Sequence, residues 1–261
     1  MRLSCVTASY VADPLGYPGP VDWGLAARTL AEGPMLEQID SMLRRLAPAK
    51  LDGIELWHPH AHPNKLTPAL AAAIRTRLAE EDMVCCAYAG GVSDPASDAL
   101  ANDAAFLAAR LLGAGLIAAH MPPAAIPGLV PYCIRHGIRI GFENGHERDA
   151  GEIMAAISQG KSRWVGANLD TGNLAAQGGD PVQATRALGD RIIHVHFKDV
   201  PAVGSHDCVA VGSGIVDVAG VVRELRGIGY DGWLSIEVET GDRDPSNEII
   251  ASAETLRRIW A

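Results

Sequence analysis

The sequence predicts an α/β chain folded over residues 1–261 as a single-domain (β/α)8 TIM barrel, and three observations predict it. The length suits one such barrel with a substantial core. Eight short apolar runs alternate with eight segments of helical spacing. Ionisable residues terminate the last four runs, where barrels of this kind carry their chemistry.

The first run is 3–8, followed by Met35, Ile39, Met42, Leu43 and Leu46 at helical spacing. Runs at 53–56, 83–87 and 115–119 precede helical segments at about 66–78, 98–112 and 124–136. Runs at 138–142 and 165–169 precede helices at 150–158 and 181–188. After the run at 192–197, Val218, Val221, Val222 and Leu225 follow Asp217, a residue suited to N-capping. The eighth run, 234–238, leads into a helix at 246–260. Each run is too short for a helix, and strict alternation requires parallel strands joined by helical crossovers. Eight such units close into a barrel more readily than they form the alternative, an open doubly wound sheet. No Pro-, Gly- or Ser-rich linker divides the chain, and the irregular stretches 13–20 and 201–214 read as loops over a site.

Composition narrows the function. With 22 basic and 31 acidic residues the net charge is -9, which disfavours nucleic acid and an anionic membrane surface. No stretch approaches the roughly 18 apolar residues of a membrane span. Five cysteines, without a Cys-x-x-Cys pair, read as reduced residues of a cytoplasmic protein. The first residues run directly into an apolar strand, so no leader is expected. The expected partner is a small molecule, and assembly into a homo-oligomer stays open.

The residues at the strand ends point to a metal. Strand five ends in Glu143-Asn144, strand six in Asp170, strand seven in His194-Val195-His196-Phe197-Lys198-Asp199, and strand eight in Glu237-Val238-Glu239. Any one of these alone could be a solvated loop charge, but three carboxylates and an imidazole on consecutive strands converge on one mouth. A bound cation offsets their repulsion and desolvation. Three oxygen donors and one nitrogen suit Mn²⁺, Mg²⁺ or Co²⁺, with Mn²⁺ favoured. Alternation puts His194, His196 and Lys198 on the inner face, with His196 at ligand height, His194 deeper and Lys198 at the rim. His194 is expected to be a hydrogen-bonded interior residue, and Lys198 either polarises a substrate oxygen or pairs with a carboxylate. Glu55, His58 and Trp57 after strand two and His120 after strand four are candidate substrate contacts. Trp57 and His58 are equally candidates for simple cover of the barrel rim.

Gly53-Ile54-Glu55-Leu56, Glu143-Asn144, Asp170-Thr171-Gly172-Asn173, the strand-seven segment, Gly212-Ser213-Gly214 before Asp217, and Gly229 through Glu237 together resemble the xylose isomerase-like barrel superfamily. Its members include tagatose and psicose 3-epimerases, hydroxypyruvate isomerase, inosose dehydratase and endonuclease IV. The resemblance implies metal ligation by Glu143, Asp170, His196 and Glu237, with both glutamates doubling as acid and base. It also implies a substrate-contacting position at Asn173, where the family often has histidine. The His-x-His-x-Lys-Asp pattern is closer to the inosose enzymes than to ketohexose epimerases. Endonuclease IV-like function is disfavoured by the acidic charge.

The expected reaction is proton abstraction next to a carbonyl, through a metal-bound enediolate, by an isomerase or epimerase of a small keto-sugar or keto-polyol. The alternative is a lyase dehydrating an inosose-like or dehydroshikimate-like substrate on the same site. A third reading is a non-catalytic barrel subunit.

Overall fold

The computed structural model describes residues 1–17 and 19–261. In chain order the regular elements are β1 (Arg2–Val6), α1 (Trp23–Glu32), α2 (Met35–Leu46), β2 (Gly53–Trp57), α3 (Pro68–Glu80), β3 (Val84–Ala89), α4 (Ala99–Leu112), β4 (Leu116–Ala119) and α5 (Ile126–His136). They continue with β5 (Arg139–Glu143), α6 (Ala150–Ser158), β6 (Val165–Asp170), α7 (Thr171–Ala176), α8 (Pro181–Leu188), β7 (Ile192–Phe197), α9 (Val218–Gly227), β8 (Trp233–Ile236) and α10 (Ser246–Trp260). Every strand pairs in parallel with its neighbours, and β1 pairs with β8 to close the barrel. The doubly wound alternative is thereby excluded.

Two helices lie outside the expected alternation. Helix α1 buries only Ala26 and Leu30, so its apolar stripe is too thin to read as a periodic signal. Helix α7 spans six residues and starts directly after strand six, with the Asp170 carboxylate accepting from the Asn173 N–H at 2.8 Å. Asp217 caps α9 as expected, accepting from the Gly220 N–H at 2.8 Å.

The core forms where outward-facing strand residues such as Leu3, Ile54, Leu56, Val195 and Phe197 meet Ile39, Ile74, Phe106, Val221 and Leu256 of the helices. Barrel interiors are ordinarily filled by branched aliphatic side chains. Here the inner face beneath the mouth is polar, with Ser4, Glu55, Asn168, His194, His196 and Ser235 all buried. Their hydrogen bonds to one another offset the cost of removing them from water. Register then brings the chemistry together: Asp170 pairs with His196, and His196 with Ser235. Gly172 permits the tight entry into α7, because a Cβ there would lie 2.5 Å from the Lys198 side chain. No helix among the described residues is long and apolar enough to cross a membrane.

Candidate metal centre

The four residues expected as ligands come together. One donor atom from each of Glu143, Asp170, His196 and Glu237 lies within 4.8 Å of the others, and all four side chains are buried. His196 Nδ1 stands 3.5 Å from Glu143 Oε1 and 3.2 Å from Glu237 Oε2. Asp170 Oδ2, His196 Nδ1 and Glu237 Oε2 are buried and in no aligned hydrogen bond, their near polar neighbours being one another and the Lys198 ammonium. Buried polar atoms are rarely left so, and three aimed at one point fit a divalent cation. The donor set, three carboxylates and one imidazole without cysteine, belongs to a hard or borderline ion.

The ring of His196 is held from below. Its Nε2 lies 3.1 Å from Glu55 Oε1, while His194 Nε2 lies 2.7 Å from Glu55 Oε2 and the Ser235 hydroxyl donates to that same oxygen at 2.7 Å. Glu55 therefore does not stand at the mouth as a substrate contact. It is fully buried in the barrel interior and already engaged by three protein groups, because β2 runs on to Trp57 and sets Glu55 below the rim. Burial alone would raise the Glu55 carboxyl, but the two imidazoles outweigh it and hold it well below the usual carboxylate range. His194 is the hydrogen-bonded interior residue expected. An anionic partner on Nε2 leaves Nδ1 of His196 to face the carboxylates, the arrangement in which a carboxylate orients a ligand histidine.

Lys198 pairs with carboxylates and also lines the cavity at the mouth. Its Nζ lies 3.3 Å from Asp170 Oδ2, 3.1 Å from Glu237 Oε2 and 3.0 Å from Glu239 Oε2. Four carboxylates thus gather about one ammonium and the His196 imidazole, an oxygen-rich centre that suits a dication. Glu239 was legible as the residue of like parity two positions beyond Glu237, yet it lies past the end of β8 and carried no assigned role. Asn144 is the other residue without an assigned role: its amide brackets the Asp170 backbone, donating to its carbonyl and accepting from its N–H at 2.9 Å each.

Of the remaining candidates, His120 contacts Glu143, with Nε2 3.0 Å from Oε1. Desolvation pulls the imidazole down, but the Glu143 charge and hydrogen bond outweigh it and raise it to about 9. Asn173 lines the cavity at the mouth, its amide donating to the Asn144 carbonyl at 3.1 Å. Trp57 is half-buried and meets Trp23 of α1 edge to face at 5.6 Å. His58 lies beside Trp57 and against Gly90, half-buried, and burial lowers its imidazole to about 4.

The same electrostatics set a pH dependence for metal uptake. Burial, reinforced by Glu237 and Glu143 and opposed by Lys198, raises the Asp170 carboxyl to about 6. Below that value Asp170 holds a proton that a cation must displace. His196, raised well above its ordinary value by Glu55, Glu143 and Glu237 against the effect of burial, must likewise give one up. Affinity for Mn²⁺ should therefore be at least roughly tenfold weaker at about pH 5 than at about pH 7. Titration calorimetry checks this, and equal affinities at the two values contradict it.

A family model for the xylose isomerase-like TIM barrel matches residues 43–259. The chain belongs to this family. The xylose isomerase-like barrels include sugar epimerases and isomerases and inosose dehydratases. An inosose dehydratase of Lactiplantibacillus plantarum is 34% identical over 127 residues, covering 42% of this chain and 40% of the relative. A putative L-ribulose-5-phosphate 3-epimerase of Escherichia coli, SgbU, is 38% identical over 96 residues, covering 34% and 33%. The matched stretches thus span less than half the length of these curated relatives. A xylose isomerase domain protein from Planctomyces limnophilus superposes with a TM-score of 0.73 at 21% identity, over 83% of this chain and 91% of that one, which is a likeness of fold.

Proposed function

We propose that this xylose isomerase-like barrel is an isomerase or epimerase of a small keto-sugar or keto-polyol that depends on one divalent ion, Mn²⁺ foremost. The observation that carries the reading is the approach of Glu143 and Glu237 to His196 Nδ1 at 3.5 and 3.2 Å from two separate strands. Two carboxylates flanking one point can act as base and acid on a substrate carbon between them. The ion, held by Glu143, Asp170, His196 and Glu237, would supply Lewis acidity toward the substrate carbonyl.

The protein's own groups divide the remaining work. One glutamate removes the proton next to the carbonyl and the other returns one, to the opposite face for an epimer or to the neighbouring carbon for an isomer. His120, hydrogen-bonded to Glu143, fixes that carboxylate and tempers its basicity. Lys198 holds Glu237 and Asp170 in place from the rim. Trp23 and Trp57 give the mouth an apolar wall on which the C–H face of a sugar can lie.

A second reading, dehydration of an inosose-like substrate, draws on Glu239, 3.0 Å from Lys198, whose carboxyl burial raises to about 7, so that it can hold the proton a departing β-hydroxyl needs. The relative named as an inosose dehydratase favours the same reading. A screen of ketoses and inososes with Mn²⁺, read by NMR, separates the two: a saturated epimer or isomer is expected, and an unsaturated product would favour the lyase. Chelation should abolish turnover, with Mn²⁺, Co²⁺ or Mg²⁺ restoring it. Full activity in exhaustively demetallated protein would overturn the metal assignment.

A further inference from the structure

We infer that the site is built for an uncharged polyhydroxy ketone and rejects phosphorylated and carboxylated ones. The inference rests on the proposed function for where the substrate lies, and it concerns what the substrate carries. Three independent features of the mouth lead to it.

The first is the charge around the cavity of about 750 Å³ that opens beside Lys198, a volume suited to a small ligand. Its two permanent cations are Lys198 and Arg243. Lys198 already faces the carboxylates of Asp170, Glu237 and Glu239. Arg243 donates to Glu248, to Asp242 at 2.7 Å and to the Cys208 carbonyl at 3.2 Å. Asp207, Glu239 and Asp242 line the same space, so neither cation is left free to meet an arriving anion.

The second is the loop after β7. In barrels of this class, phosphate groups are commonly held by backbone N–H groups of the loops after the last two strands, together with the start of a short extra helix. This chain has the glycine-bearing loop, but its amides turn inward. Gly212 and Gly214 N–H each donate to Asp199 Oδ2 at 2.9 Å, and Val216 N–H donates to Oδ1 at 3.1 Å. Asp199 is fully buried. Gly214 is required there, since a Cβ would lie 2.3 Å from the Asp199 carboxylate. A carboxylate of the protein thus occupies the donors that a phosphate would use.

The third is the way the helices that start at this end of the barrel are capped. The N-terminus of α7 opens at the metal centre, and Asp170 caps it through the Asn173 N–H. The start of α9 is closed in the same way by Asp217. Helix N-termini attract anions through unsatisfied N–H groups, and here protein carboxylates answer that attraction.

The test pairs neutral and charged forms of one skeleton with the Mn²⁺-loaded protein: D-tagatose and D-fructose against their 6-phosphates, and against the same ketoses oxidised to a carboxylate at carbon 6. Calorimetry reads binding, and NMR in the same samples reads conversion. Neutral members should bind at least tenfold more tightly than their charged counterparts. Equal or tighter binding of a phosphate or carboxylate overturns the inference, as does absence of binding by every neutral compound. A neutral compound that binds without conversion upholds this selectivity while refuting the proposed activity. Conversion of a sugar phosphate in preference to its neutral form does the reverse.

Discussion

Glu143→Gln and Glu237→Gln should each lower turnover by at least ~10²-fold, the lower end of what a positioned acid or base contributes. Glutamine keeps the shape and one oxygen donor of each side chain, but it cannot accept a proton from carbon. Both variants should therefore retain appreciable Mn²⁺ and substrate binding. The environments differ: Glu143 is hydrogen-bonded by His120, whereas Glu237 lies against Lys198. The two losses consequently need not match in size. Single-turnover kinetics beside calorimetric affinities check the separation of binding from chemistry. A variant that binds substrate and turns over at the wild-type rate removes that glutamate from proton transfer.

His196→Ala should weaken Mn²⁺ binding far more than His194→Ala. The first removes a nitrogen aimed at the three carboxylates. The second removes one of three groups on Glu55, which keeps His196 and Ser235. Glu55→Gln belongs between them. It keeps an acceptor for His196 Nε2 but loses the charge that favours Nδ1 as the ligand atom, and outer partners of metal histidines are typically worth 10–100-fold in affinity. Calorimetric titration with Mn²⁺ orders the three variants, with circular dichroism establishing that each is folded. Equal losses for His194→Ala and His196→Ala would mean that His196 is not the ligand histidine.

How much of this was legible in the sequence depends on the range of the interactions. Strands β5, β6 and β7 and the residues at their ends follow from local alternation, and period 2 alone carries Phe197 outward and His196 inward. The convergence of Glu143, Asp170, His196 and Glu237 follows once the barrel closes, because consecutive strand ends become neighbours. Glu55 was misread because its environment is made by His194 and His196 far along the chain, and no local pattern distinguishes a buried carboxylate from one at a rim. Helix α7 was hidden because Asp170 serves at once as strand end, N-cap and candidate ligand. The inward turn of the 212–216 amides onto Asp199 is a tertiary fact that the glycines suggest only in hindsight.

Proton movement between carboxylate and carbon is measured most directly by turnover of a converted ketose in deuterated water. The abstracted proton should exchange while it resides on Glu143 or Glu237, so deuterium is predicted in the product at the carbon that was deprotonated. Complete retention of the substrate hydrogen at full conversion would mean that it passes between carbons as a hydride, and would contradict the roles given to both glutamates.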